Sequence, residues 1–319
     1  MIEIEGLTKR FGPVTAVAGL SLKVAKGEVL GFLGPNGAGK STAMRMITGY
    51  LAPDAGRISV CGHDIETDTT AAQAAIGYLP EGAPAYSDMT ARQFLRFVAE
   101  VRGFKGVDAR SRIESVVEKT ELAPVLEQPI DTLSKGFKRR VGVAQAILHD
   151  PPVLIMDEPT DGLDPNQKHS VRGLIRAMAP EKAIIISTHL LEEVEAICTR
   201  AVIIDRGAVV ADGTPAELLA RSRYHNAVTM TLAKNDADGA AAKLKALPNV
   251  ALVERNVVNG DVQLTAFPKS GALLIEAVSA LAVREGMKLK ELYAEPGRLD
   301  EVFRAITTSD AARAKAAKR

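Results

Sequence analysis

The chain opens on alternating apolar and polar positions, breaks at Phe11-Gly12-Pro13, and alternates again from Val14 to Val24 before a Lys26-Gly27-Glu28 turn. That rhythm predicts an antiparallel hairpin or small sheet with one face on a core. A different signal follows. Val29-Leu30-Gly31-Phe32-Leu33, Val153-Leu154-Ile155-Met156 and Ala183-Ile184-Ile185-Ile186 are unbroken apolar runs, of the kind that parallel strands buried on both faces require. Helical periodicity lies between them, beginning at residues 40–48, so the spacing predicts βαβ units around a parallel sheet. From about residue 83 to residue 149 the periodicity is helical only, over residues 90–102, 111–120 and 138–148, which predicts a helical insertion.

Beyond Pro215 and a helix ending near Ala220, Arg221-Ser222-Arg223 reads as a linker and the rhythm changes. Strand (227–232), helix (238–247), strand (251–257), strand (261–266), helix (272–285) and strand (289–293) form a βαββαβ order, closed by a helix over residues 299–306. Asn259-Gly260 is a two-residue hairpin signal between the middle strands. The expected organisation is a large α/β unit over residues 1–222, a small accessory α/β domain over 223–308, and a basic tail over 309–319 that is solvated or frayed.

Composition narrows the partners. Forty Lys and Arg against thirty-nine Asp and Glu leave a formal charge of +1, so a general attraction to nucleic acid is not the design and no nucleic-acid partner is expected. The two cysteines, Cys61 and Cys198, stand in no metal-ligand spacing and fit a reducing compartment. No stretch approaches the roughly eighteen apolar residues that cross a bilayer. The acidic opening Met1-Ile2-Glu3-Ile4-Glu5 is not an export signal. A cytoplasmic address follows, with docking onto a membrane protein left open.

The sharpest chemistry lies in Gly34-Pro35-Asn36-Gly37-Ala38-Gly39-Lys40-Ser41, followed by Thr42, which matches G-x-x-x-x-G-K-[ST] between a buried strand and a helix. Glycines let successive backbone N–H groups turn inward, and the helix start adds its positive end, so a polyphosphate meets donors already in place. Lys40 reaches the β- and γ-phosphates and the Ser41 hydroxyl ligates Mg²⁺ in this motif. A turn built only for backbone geometry leaves Lys40 and Ser41 unexplained. Asp157 and Glu158 follow the second apolar run, at the carboxyl end of a central strand, where one holds Mg²⁺ and the other orients and deprotonates an attacking water.

With these motifs in order, the sequence resembles the nucleotide-binding subunit of an ATP-binding cassette (ABC) transporter over about residues 2–220. Leu133-Ser134-Lys135-Gly136-Phe137 stands where that family carries its L-S-G-G-Q signature; Gly162-Leu163-Asp164 follows Glu158 as its D-loop does; Ser187-Thr188-His189 ends the third run as its switch histidine does. The resemblance implies a P-loop NTPase core, a parallel sheet flanked by helices plus an antiparallel β subdomain. It implies two copies of the chain enclosing ATP and Mg²⁺, with Ser134 and Gly136 facing the nucleotide of the other copy. It implies roles for His189 at the γ-phosphate, Asp164 between the two sites and Phe11 against adenine. Glu81, in Gly77-Tyr78-Leu79-Pro80-Glu81, replaces the family's usual glutamine and becomes a metal-side carboxylate. Lys135 and Phe137 depart from the signature as well. These departures and the C-terminal extension resemble the exporter subset, which implies an ATPase driving a separate integral membrane permease from its cytoplasmic side. Soluble ABC-type ATPases acting on nucleic acid or ribosomes are the alternative, with an ATP-regulated assembly module as a third; a single cassette without heptad runs disfavours the soluble type. His63, His149, His169 and His225 are read as surface or capping residues, and Lys138-Arg139-Arg140 as the solvated face of an amphipathic helix.

Overall fold

Alternation in the opening segment produces β1 (Ile2–Phe11) and β2 (Val14–Val24), antiparallel, with Ile2, Ile4, Leu7, Leu20, Leu22 and Val24 all buried. The first unbroken apolar run forms β3 (Val29–Leu33), buried along its whole length, and the glycine-rich loop leads into α1 (Lys40–Ile47). There follow β4 (Ala55–Val60), β5 (His63–Asp64), α2 (Thr69–Ala74) and β6 (Ile76–Leu79). The helical insertion contributes α3 (Ala91–Val101), α4 (Gly106–Lys119) and α5 (Lys135–Ile147). The framework resumes with β7 (Val153–Asp157), α6 (Pro165–Met178), β8 (Ala183–Thr188), α7 (Leu191–Ile197), β9 (Arg200–Asp205), β10 (Ala208–Gly213) and α8 (Pro215–Leu219). This computed structural model describes residues 1–83 and 85–316.

Two sheets position the site. The antiparallel one runs β2-β1-β4-β5, and the central one runs β10-β9-β3-β8-β7-β6, parallel except for β10 at its edge. Helix α1 puts Met44, Met46 and Ile47, all fully buried, into a core shared by both sheets. The carboxyl ends of β3, β7 and β8 therefore lie side by side, with residues 34–41, Asp157, Glu158 and His189 at or just beyond them.

The chain divides into two compact units, Met1–Pro215 and Ala216–Arg319. The second contains β11 (Val228–Ala233), α9 (Ala237–Lys245), β12 (Val250–Val258), β13 (Asp261–Pro268), α10 (Ile275–Arg284), β14 (Leu289–Ala294) and α11 (Leu299–Ala316). Its antiparallel sheet runs β12-β13-β11-β14 over a core of apolar residues shared with α9 and α10. Asn259 and Gly260 turn the β12–β13 hairpin with φ of 51° and 86°, the left-handed pair that a type I′ turn requires.

Several expected helices differ in extent, among them α10, which starts at Ile275 where residue 272 was expected. Helix α4 starts at Gly106, where residue 111 was expected, with Asp108 in its first turn complementing the helix dipole. Helix α5 starts at Lys135, three residues early, because the Ser134 hydroxyl caps it by accepting the Phe137 N–H at 3.3 Å. Helix α11, expected to end at residue 306, continues to Ala316, since alanine has the strongest helix propensity. The tail expected to be frayed over residues 309–319 is thus helical as far as Ala316, and its last three residues lie outside the described residues. Among the described residues no helix is long and apolar enough to cross a membrane.

Candidate functional site

The loop after β3 is shaped by close approach. A Cβ on Gly34 would lie 2.4 Å from the Ile204 carbonyl oxygen, and one on Gly39, at φ +104°, 2.2 Å from that of Ala16, so neither position accepts a side chain. Between them Pro35, Asn36, Gly37 and Ala38 form the turn, tied by the Ala38 N–H donating to the Pro35 carbonyl at 3.1 Å. The Lys40 ammonium, buried, donates to the carbonyls of Gly34 (2.7 Å) and Pro35 (3.1 Å) and so folds back over the loop. Burial lowers its pKa, while the charges of Glu158, Asp157 and Glu81 act in the opposite direction. One buried cation thereby feels three of the four carboxylates singled out in the sequence, Asp164 being the exception. Ser41 and Thr42, half-buried, occupy the first turn of α1, whose leading N–H groups have no partner within the helix.

Across the loop stand the ends of β7 and β8. Asp157 is buried at the end of β7, and the fully buried Ser187 hydroxyl donates to its Oδ1. Glu158 leaves the strand at φ +50°, a left-handed conformation that costs a glutamate about 1 kcal/mol. Its N–H donates to the Ser187 carbonyl (3.1 Å) and hydroxyl (3.2 Å), which hold that turn. Glu158 Oε1 stands 2.9 Å from His189 Nδ1. The neighbours Asp157 and Glu158 therefore diverge, one toward Ser187 and one toward the half-exposed imidazole.

The remaining residues lie at the periphery. Phe11 closes β1, 51% exposed, with the Lys9 ammonium 5.9 Å from its ring centroid; β2, its hairpin partner, is the strand whose Ala16 carbonyl rests on Gly39. Glu81 is exposed beyond β6. Ser134 and Gly136 cap and open α5, and Asp164 caps α6 through a capping box with Gln167. No hydrogen bond joins Ser134, Gly136 or Asp164 to residues 34–41 among the described residues, so these three form a separate group.

The basic run is corrected. Arg139 and Arg140 are buried rather than solvated, because α5 is packed on two sides. Arg139 donates at 3.4 Å to the carbonyls of Pro80 and Asp157 and lies 4.0 Å from Asp161, beneath the site itself. Arg140 pairs with Glu121 at 2.8 Å, beyond the end of α4. The histidine after α5 is corrected too: His149 packs inward, its Nε2 3.0 Å from the Ile76 carbonyl oxygen. Sequence reasoning missed Ser187 as the partner of Asp157, and Gln167, whose only local signal was its place three residues after an N-capping aspartate.

The donors fit a magnesium nucleotide. Ser41, Asp157 and Glu81 offer hard oxygens, and no group of three or more His, Cys, Asp or Glu able to hold a metal exists among the described residues. Magnesium commonly binds through one or two carboxylates together with substrate phosphates.

Comparison with known proteins bears on the family and the fold. The family described as ABC transporter matches residues 17–161. The Nod factor export ATP-binding protein I of Paraburkholderia xenovorans (strain LB400) is 35% identical, over 96% of this chain and 96% of its own. The daunorubicin resistance ATP-binding protein DrrA3 of Streptomyces coeruleorubidus is 34% identical over 97% and 96%, and the linearmycin resistance ATP-binding protein LnrL of Bacillus subtilis (strain 168) 32% over 96% and 98%. Among solved structures, the ATP binding subunit of an ABC transporter superposes with a TM-score of 0.64 at 30% identity, covering 68% of this chain and 91% of that one. A dimeric bacterial ABC transporter cassette, 21% identical over 67% of this chain and 99% of that one, shares the fold with a TM-score of 0.63.

Proposed function

Because the chain belongs to the ABC transporter family of ATP-binding subunits, we propose that two copies enclose MgATP, hydrolyse it, and drive a separate membrane permease in the direction of export. The observation that carries this reading is the Lys40 ammonium folded over its glycine-rich loop at the end of β3, beside the strand ends of β8 and β7 where Asp157 and Glu158 stand, with His189 bonded to Glu158. The chain is an ATPase. In the reading proposed, residues 34–42 cradle the triphosphate and Phe11 stacks on adenine. Glu158 accepts the proton of the attacking water, and His189, half-exposed beside it, reaches toward the γ-phosphate. Ser41 and Asp157 would hold Mg²⁺, with Glu81 on the metal side, and a bound ion would supply charge neutralisation to the triphosphate. Ser134 and Gly136 of one copy complete the site of the other, and Asp164 couples the two. Residues 1–222 carry this work, with residues 223–308 as an accessory domain.

The permease would dock peripherally at the helical insertion. A groove of about 640 Å³ lies between α3 and the β6 edge, lined by Tyr50, Tyr78, Phe94, Phe97, Val101 and Arg102. Tyr50 and Val101 are 73% and 69% exposed. A rim so apolar, beside the Pro80-Glu81 loop, suits a short amphipathic helix of the membrane partner. Purification from the native membrane tests the reading: a polytopic protein should co-purify, and ATP turnover should vanish in Lys40→Ala. Co-purifying RNA without a membrane protein would overturn it.

A further inference from the structure

The signature turn and the Asp164 loop of one chain interlock. Gly136 is buried, and a Cβ placed on it would lie 2.3 Å from Gln167 Oε1 and 3.0 Å from both Cδ and Nε2. The carboxamide of Gln167 thus occupies the space a side chain at position 136 would need. The same Oε1 accepts the Asp164 N–H at 3.3 Å, while Asp164 Oδ1 accepts the Gln167 N–H at 2.9 Å. A second contact runs the other way. A Cβ on Gly162 would meet Lys135 Cβ at 3.5 Å and Cδ at 3.7 Å, so the lysine stem lies over the D-loop glycine. Each segment therefore offers a glycine to a long side chain of the other. This accounts for Lys135 where the related signature has glycine: its stem is used within the chain.

We propose that Gln167 is a positioning residue locking the signature turn to the Asp164 loop, so that both segments move as one body when they meet the nucleotide of the partner subunit. The inference rests on the dimeric reading proposed above. A glycine is demanded at position 136 by a neighbour in the same chain, in addition to any need for close approach to phosphate. Removing the carboxamide, or adding a methyl group that displaces it, breaks the same hydrogen bond. The two changes therefore should not add.

The test is a double-mutant cycle on the full chain with Gln167→Ala, Gly136→Ala and the double variant. Each single variant is expected to speed amide exchange over residues 161–166 in the nucleotide-free protein. Each should lower kcat about 5- to 10-fold with MgATP affinity of the monomer nearly unchanged, and should lower the thermal midpoint slightly through the loss of roughly one hydrogen bond. The double variant should be no worse than the poorer single one. Losses that multiply in the double variant would overturn the proposal, as would exchange or kcat unaltered in Gln167→Ala. If the unaltered chain hydrolysed no ATP, the transporter reading would fail, while amide exchange would still decide the interlock.

Discussion

On the reading proposed, turnover hinges on Glu158, which leaves the strand end on a strained backbone whose N–H donates to both the carbonyl and the hydroxyl of Ser187, and whose carboxylate pairs with His189. Glu158→Gln keeps shape and hydrogen bonding but cannot take a proton. It should lower kcat by at least about 100-fold, the lower end for a general base, with MgATP affinity retained; single-turnover kinetics beside equilibrium binding measure both. These residues were legible in the sequence because phosphate chemistry is local in the chain: loop, lysine and hydroxyl are consecutive, and Asp157-Glu158 directly ends an apolar run. Burial that depends on two elements at once was not legible. Adjacent arginines on a helix read as a solvated face, and only the packing of α5 between the strand ends and Glu121 turns Arg139 and Arg140 inward. Ser187 was likewise read as part of a switch segment, whereas its bond to Asp157 crosses two strands adjacent only in the folded sheet.

Among elements, α5 links the nucleotide site to the insertion, and its two ends make separate predictions. At its start, Ser134→Ala removes the cap and should lower the stability of the unliganded protein by about 1 kcal/mol, read from denaturant midpoints. Just past its end, burial and the nearby Arg102 charge push the His149 imidazole down to about 4. The folded state leaves His149 neutral while the unfolded chain takes up a proton near pH 6.5. Stability on this account falls as the pH drops from about 6.5 toward 4 and is flat above that window. Allowing for solvent screening at a ring that is not fully enclosed, the loss between pH 7 and pH 5 is about 1 kcal/mol. His149→Gln, which keeps a donor for the Ile76 carbonyl, should flatten that slope; an unchanged slope would place the titration elsewhere. Strands β3, β7 and β8 were legible because burial on both faces confines polar residues to their carboxyl ends. The starts of α4 and α5 were not, since each is set by a polar residue lying ahead of the apolar period that marked the helix.

For the whole molecule, the nearly balanced charge and the exposed aromatic groove point to recognition by a specific protein face rather than by a field. Val101→Asp in that groove should leave the ATP turnover of the isolated chain unaltered and abolish co-purification of the permease, a comparison that separates docking from catalysis. The βαββαβ order of the second unit was legible from its alternating strands and Asn259-Gly260 turn, although its chemistry was not, for its polar residues form no cluster in the sequence. The central claim is that MgATP is held between two copies, each lacking what the other supplies, and it is tested most directly by the mass of the Glu158→Gln chain in sedimentation equilibrium. The account predicts a monomer without nucleotide and a dimer with MgATP. A strictly monomeric protein at saturating MgATP, alongside an unaltered chain that hydrolyses ATP at full rate as a monomer, would contradict it.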